Sequence, residues 1–83
     1  MGMVPTFQAK VMNYLKTYGR SSIRSIAIGV GSDRKQAREA LPILKAKGLV
    51  ADELVMETYL QGQKVMTHYW WLTKEGLKWL AKD

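Results

Sequence analysis

The sequence predicts an α+β fold that is mostly helical: three helices, a two-stranded β-hairpin, then a short closing helix. Three observations predict it. Apolar residues recur at helical spacing through three segments between Thr6 and Lys47. Apolar and polar residues then alternate from Leu49 to about Leu60 and again from Lys64 to Leu72, on either side of Gln61-Gly62. Gly19, Gly31 and Gly48 stand where helices have to stop. With 83 residues and no linker, repeat or low-complexity tract, the expectation is a single domain over residues 1–83.

The first helix is expected from Thr6 to Tyr18, with Phe7, Val11, Tyr14, Leu15 and Tyr18 on its apolar face. Pro5 and Thr6 suit its start, and Gly19 its stop. A shorter helix follows from Ser22 to Val30, capped by Ser21 or Ser22, and buries Ile23, Ile26, Ala27 and Val30. Gly29-Val30-Gly31-Ser32 turns the chain sharply while keeping Val30 inside.

The third helix is expected to begin at Ser32 or Asp33 and run to Lys47. Asp33 and Gln36 have the spacing of a capping box. At about 100° per residue, Ala37, Ala40, Leu41 and Leu44 share one stripe. Lys35, Arg38, Glu39, Pro42 and Ala46 point away from it, flanked by Arg34 and Lys45 on one side and by Gln36, Ile43 and Lys47 on the other. Pro42 removes a hydrogen bond to the Arg38 carbonyl, so a bend or a restart is expected there. In the hairpin, Met66, His68, Trp70 and Leu72 share one face, and Val65, Thr67, Tyr69 and Trp71 the other. Trp70 and Leu72 are expected to seal the core. Thr73 caps a last helix to about Lys82, with Leu77, Leu80 and Ala81 turned inward.

Composition narrows the function. The chain is 47% hydrophobic with three Trp, four Tyr and one Phe, enough for a packed core. It has no cysteine, which excludes disulfides and thiolate metal sites and fits a reducing cytoplasm. No apolar run approaches the roughly 20 residues of a membrane span, and no signal-peptide pattern is present. The expected location is therefore cytoplasmic, on the nucleoid in a bacterium or archaeon. The opening MGMVPT matches the myristoylation pattern at Gly2 and Thr6, a short match common by chance.

The net charge is +6 and unevenly placed. Residues 1–48 hold nine Lys and Arg against Asp33 and Glu39, a net +7, whereas residues 49–83 hold four Lys against five acids, a net −1. One basic half and one nearly neutral half suggest a surface that faces a polyanion.

Helix, helix, helix, hairpin, helix is the element order of a winged helix. Arg34 to Val50, with its R-x-x-A-R-E-A-L-x-x-L-x-x-x-G-L-V pattern, resembles the recognition helix of GntR-type winged helix-turn-helix regulators. Tyr69-Trp70-Trp71-Leu72-Thr73-Lys74-Glu75-Gly76 is similar to the Y-Y-x-L-T-x-x-G segment that closes the wing in PadR- and MarR-like regulators. The looser I-x-x-I-A…G-V-G-S of the second helix accompanies them. The resemblance implies a winged helix with a DNA-binding surface.

In that geometry the first turns of the third helix meet base edges in the major groove. Ser32, Arg34, Lys35, Gln36 and Arg38 occupy those turns. Arg38 or Lys35 can donate to guanine O6 and N7, and Gln36 can pair with adenine. Backbone phosphates would meet Ser22 and Arg24 at the start of the second helix, along with Arg20, Lys45 and the wing residues Gln61, Gln63 and Lys64. Tyr69 and Trp71 lie on the hairpin face opposite Trp70. There they can form a dimer contact, cover the last helix or stack on bases. Ile43 and Met12 lie off their core stripes and suggest a partner surface. His68 reads as a packed or rim histidine, since a lone imidazole makes a poor metal site.

No enzyme is expected. The chain has no nucleophile elbow, no phosphate-binding glycine loop and no Cys/His pair, and Glu53 and Glu57 read as solvated surface. The expected partner is double-stranded DNA, bound by a small sequence-specific regulator, with a homodimer as the second candidate partnership, and without cofactor, metal, small-molecule ligand or membrane. Two alternatives compete: a winged helix serving as a protein-interaction module, and an architectural or replication accessory protein with little sequence preference.

Overall fold

The four helices and the hairpin follow one another in the order the hydrophobic pattern dictates. The sheet, however, has three antiparallel strands instead of the expected two, because the short segment Ser21–Ser22 ahead of the second helix pairs with the hairpin. The computed structural model describes residues 6–81; the expectations for Gly2, Pro5 and the end of the last helix at Lys82 lie outside the described residues. The elements are α1 (Thr6–Tyr18), β1 (Ser21–Ser22), α2 (Ile23–Val30), α3 (Arg34–Ala46), β2 (Val50–Thr58), β3 (Lys64–Leu72) and α4 (Lys74–Ala81).

Ser22 caps α2 by accepting from the Ser25 N–H, and Asp33 caps α3 by accepting from the Gln36 N–H at 2.8 Å. Each bond satisfies a donor that the first turn leaves free. Gly31 closes α2 in the left-handed conformation at φ 71°, where a side chain would be strained. α3 continues through Pro42 without a restart.

The core joins Val11, Met12 and Leu15 of α1, Ile26 of α2, Leu41 and Leu44 of α3, and Leu49, Val50 and Trp70 at the base of the hairpin. Phe7, Tyr14, Ile23, Val30, Leu72, Trp79 and Leu80 pack around it. Trp70 and Leu72 seal the sheet side as expected.

Two helices present different faces from those expected. In α1 the buried residues are Gln8, Val11, Met12 and Leu15, while Tyr18 stays 68% exposed. Met12 therefore belongs to the core and to no partner surface. The cause is that α1 is walled by α2, α3, β3 and α4 together, so its buried stripe is set by several neighbours. In α4 the inward residues are Gly76, Trp79 and Leu80, whereas Leu77 is 46% exposed and Ala81 faces solvent. Gly76 decides this rotation, because a Cβ there would run into the Leu49 carbonyl oxygen.

The hairpin pairs Val50 with Leu72 through to Thr58 with Lys64. Its turn is longer than expected, since the Tyr59 N–H donates to the Gln63 carbonyl at 2.8 Å and pairing stops at Thr58. A third strand joins the other edge of β3: Ser21 pairs with Trp70 and Ser22 with Tyr69. Beyond Ser22, that edge of β3 has no partner strand among the described residues.

Candidate nucleic-acid interface

An open groove of about 680 Å³ runs along this free edge of β3. On one wall stand Ser22, Ile23 and Arg24 from the start of α2, with Arg34 and Arg38 from the first turns of α3. The other wall is the outer hairpin, from Tyr59 through Val65, Met66, Thr67 and His68 to Tyr69. Residues of both sheet faces reach the groove because it follows the strand edge. Among the described residues the only carboxylate lining it is Glu57, which accepts from the Tyr69 hydroxyl at 3.0 Å. That bond raises the Tyr69 pKa above its ordinary 10.0. Three guanidiniums thus converge on one concave surface, each exposed and always charged.

A second cluster fixes the hairpin to α3. Asp52 of β2 lies 2.8 Å from the Lys45 ammonium and 2.6 Å from His68 Nε2. The hydrogen bond from Lys45, followed by that from His68, holds the Asp52 carboxyl below its ordinary 3.8. The His68 ring stacks on Trp70 with centroids 4.4 Å apart. Thr73 performs a similar task at the other end. Its hydroxyl donates to the Gly48 carbonyl at 2.6 Å and accepts from the Gly76 N–H at 3.1 Å, which ties α4 to the joint between α3 and β2.

No protein-family model and no curated protein matches the sequence. Solved structures do match. A MarR family transcriptional regulator from Silicibacter pomeroyi superposes with a TM-score of 0.76 at 22% identity, covering 94% of this chain and 48% of that one. The fold is a winged helix-turn-helix. The PcaV transcriptional regulator from Streptomyces coelicolor, solved with its natural ligand, gives a TM-score of 0.69 at 26% identity over 90% of this chain and 49% of that one. The zinc-responsive MarR family member ZitR from Lactococcus lactis gives 0.68 at 17% identity over 94% and 49%. The chain spans about half the length of these winged-helix structures.

In winged-helix terms, α2 and α3 form the helix-turn-helix and the β2–β3 hairpin is the wing. Of the residues singled out on α3, Arg34 and Arg38 face the groove, while Lys35 and Gln36 are exposed outside it. Ser32 is half-buried in the turn and donates to the Asp33 carbonyl. Ser22 and Arg24 line the groove as one pair. Gln61, Gln63 and Lys64 are exposed at the far end of the wing.

Two of the cations expected on phosphates form ion pairs with carboxylates of the hairpin. Lys45 is on Asp52, as above. Arg20 bonds Glu53 at 2.8 Å, and its guanidinium lies 4.8 Å from the Tyr69 ring centroid and 5.5 Å from that of Trp71. Tyr69 and Trp71 are thus half-buried beneath Arg20, and Ile43 is 45% exposed on α3. Sequence reasoning missed Thr67, Tyr59 and Asp52. The hairpin register carried the signal for Asp52, since it sits opposite Trp70 and diagonal to His68.

Proposed function

We propose that this chain is a sequence-specific duplex-DNA-binding domain of a small transcriptional regulator. It reads the major groove with α3 and holds the backbone between α3 and the wing. The observation that carries this reading is the convergence of Arg24, Arg34 and Arg38 on the groove beside the wing. Those guanidiniums neutralise phosphates and position the protein without reading sequence themselves. Lys35 and Gln36, exposed on the same turns but outside the groove, remain for base edges: Lys35 for guanine O6 and N7, Gln36 for adenine N6 and N7. The fold shared with the Silicibacter and Streptomyces transcriptional regulators supports the reading. A symmetric dimer on a palindromic site is the arrangement in which the half-site spacing mirrors the protein's own symmetry.

Selection of binding sites from a random duplex library at physiological salt tests it. Recovery of a motif is the expected result, and a palindrome within it would establish the dimer. Binding without a motif would replace sequence-specific regulation with an architectural role. No retention of duplex at low salt would overturn the DNA reading and favour a protein-interaction module.

A further inference from the structure

The far end of the wing is built unlike the cationic surface beside it. Between Thr58 and Lys64 the turn reads Tyr59-Leu60-Gln61-Gly62-Gln63 and carries no charge. Leu60 is fully exposed, and Tyr59 beside it is 52% exposed. The turn is closed by two backbone bonds, from the Tyr59 N–H to the Gln63 carbonyl and from the Gly62 N–H to the Tyr59 carbonyl at 2.9 Å. Gly62 takes φ 78°, a conformation open to glycine. The leucine is therefore presented at the apex of a bonded turn.

The groove reaches this apex, since Tyr59, Val65 and Met66 line it together with the three arginines. In the docking proposed above, a DNA strand whose phosphates rest on those arginines passes beside the wing, with the adjoining minor groove facing the apex. That groove is about 6 Å wide. Paired strands lie about 4.8 Å apart before side chains are added, so the hairpin cannot lie flat within it. Only the apex enters. The side-chain amides of Gln61 and Gln63 and the Lys64 ammonium can donate to the acceptors on the minor-groove edges. An alkyl group has no such partner, and its favourable place is between base pairs, away from water.

We infer that the wing apex is a minor-groove wedge: Leu60 inserts at a base step and bends the duplex whose backbone Arg24, Arg34 and Arg38 hold. The inference rests on the DNA-binding reading above and adds an activity to it.

The test uses a duplex of about 30 base pairs that carries the selected site and a fluorescent donor and acceptor at its two ends. The wild-type protein is expected to raise energy transfer, corresponding to a bend of about 20–90°. Leu60→Ala, at a fully exposed position that leaves the fold intact, is expected to bind with the same salt dependence and lose the bend. Leu60→Met, which supplies another apolar wedge, is expected to restore it. Wild-type binding with a steep salt dependence but unchanged energy transfer would overturn the wedge and leave DNA binding standing. So would an equal bend from Leu60→Ala. A DNA-independent dimer that Leu60→Ala dissolves would assign the apex to a second copy instead. No binding at low salt would overturn the DNA reading, and the wedge with it.

Discussion

Gly76 stands where the Leu49 carbonyl leaves no room for a side chain, which gives the glycine of the L-T-x-x-G segment a physical reason. Gly76→Ala has to move a backbone oxygen, so it is expected to lower stability by about 1–3 kcal/mol in denaturant titration. A neutral result would mean that α4 can shift freely. Met12→Ala removes a fully buried side chain and should cost about 2–5 kcal/mol. Tyr18→Ala, on an exposed residue of the same helix, should stay within about 0.5 kcal/mol. In the proposed docking, the groove divides the cations of α3 by task. Arg38→Ala is expected to weaken all duplexes alike and to reduce the salt slope by about one. Gln36→Ala should cost about 1–3 kcal/mol on the selected site and relax a single base position. If the two variants show the same pattern, that division of labour is wrong.

Between elements, the joint of the wing and α3 depends on Asp52. Its carboxylate binds Lys45 of α3 and His68 of β3, and both bonds favour the charged form. A carboxyl whose pKa is depressed on folding contributes stability that is present above its unfolded value and lost as pH falls through the folded one. The protein is therefore expected to lose thermal stability as pH drops below about 3.8, the ordinary carboxyl value. Asp52→Asn should flatten that part of the profile, whereas an unchanged acid limb would assign the loss to other carboxyls. The two-residue β1 is another joint between elements, because its pairing with Trp70 and Tyr69 places Ser22 and Arg24 on the groove.

Over the whole molecule, charge and shape divide the work. Cations cluster in the helical half, and the wing contributes mostly apolar and amide side chains to an elongated body of 49 × 24 × 21 Å. In the proposed complex, electrostatics holds the DNA backbone while the wing supplies shape. If about six phosphates are neutralised, affinity should fall about a thousandfold between roughly 50 and 200 mM salt. Fluorescence anisotropy on the selected duplex measures this, and a flat profile would exclude backbone contact as the main source of affinity.

The sequence by itself determined the order of the four helices and the hairpin, the cap at Asp33, the core stripe of α3 and the cationic turns from Arg34 to Arg38. These follow from local spacing and local hydrogen bonds, which a chain carries wherever it folds. The sequence did not determine the strand β1 or the choice of Ser22 over Ser21 as the cap of α2. Only the tertiary structure decided that Met12 is core and Tyr18 surface, because a helix walled by several neighbours buries more than one stripe. It also decided which cations are paired with carboxylates. Arg20 and Lys45 resemble Arg24 and Arg38 in sequence, yet strand pairing brings Glu53 and Asp52 against the first two. The groove is legible only there as well, since its walls come from separate stretches of the chain, residues 22–38 and 57–69, and meet through the register of β3.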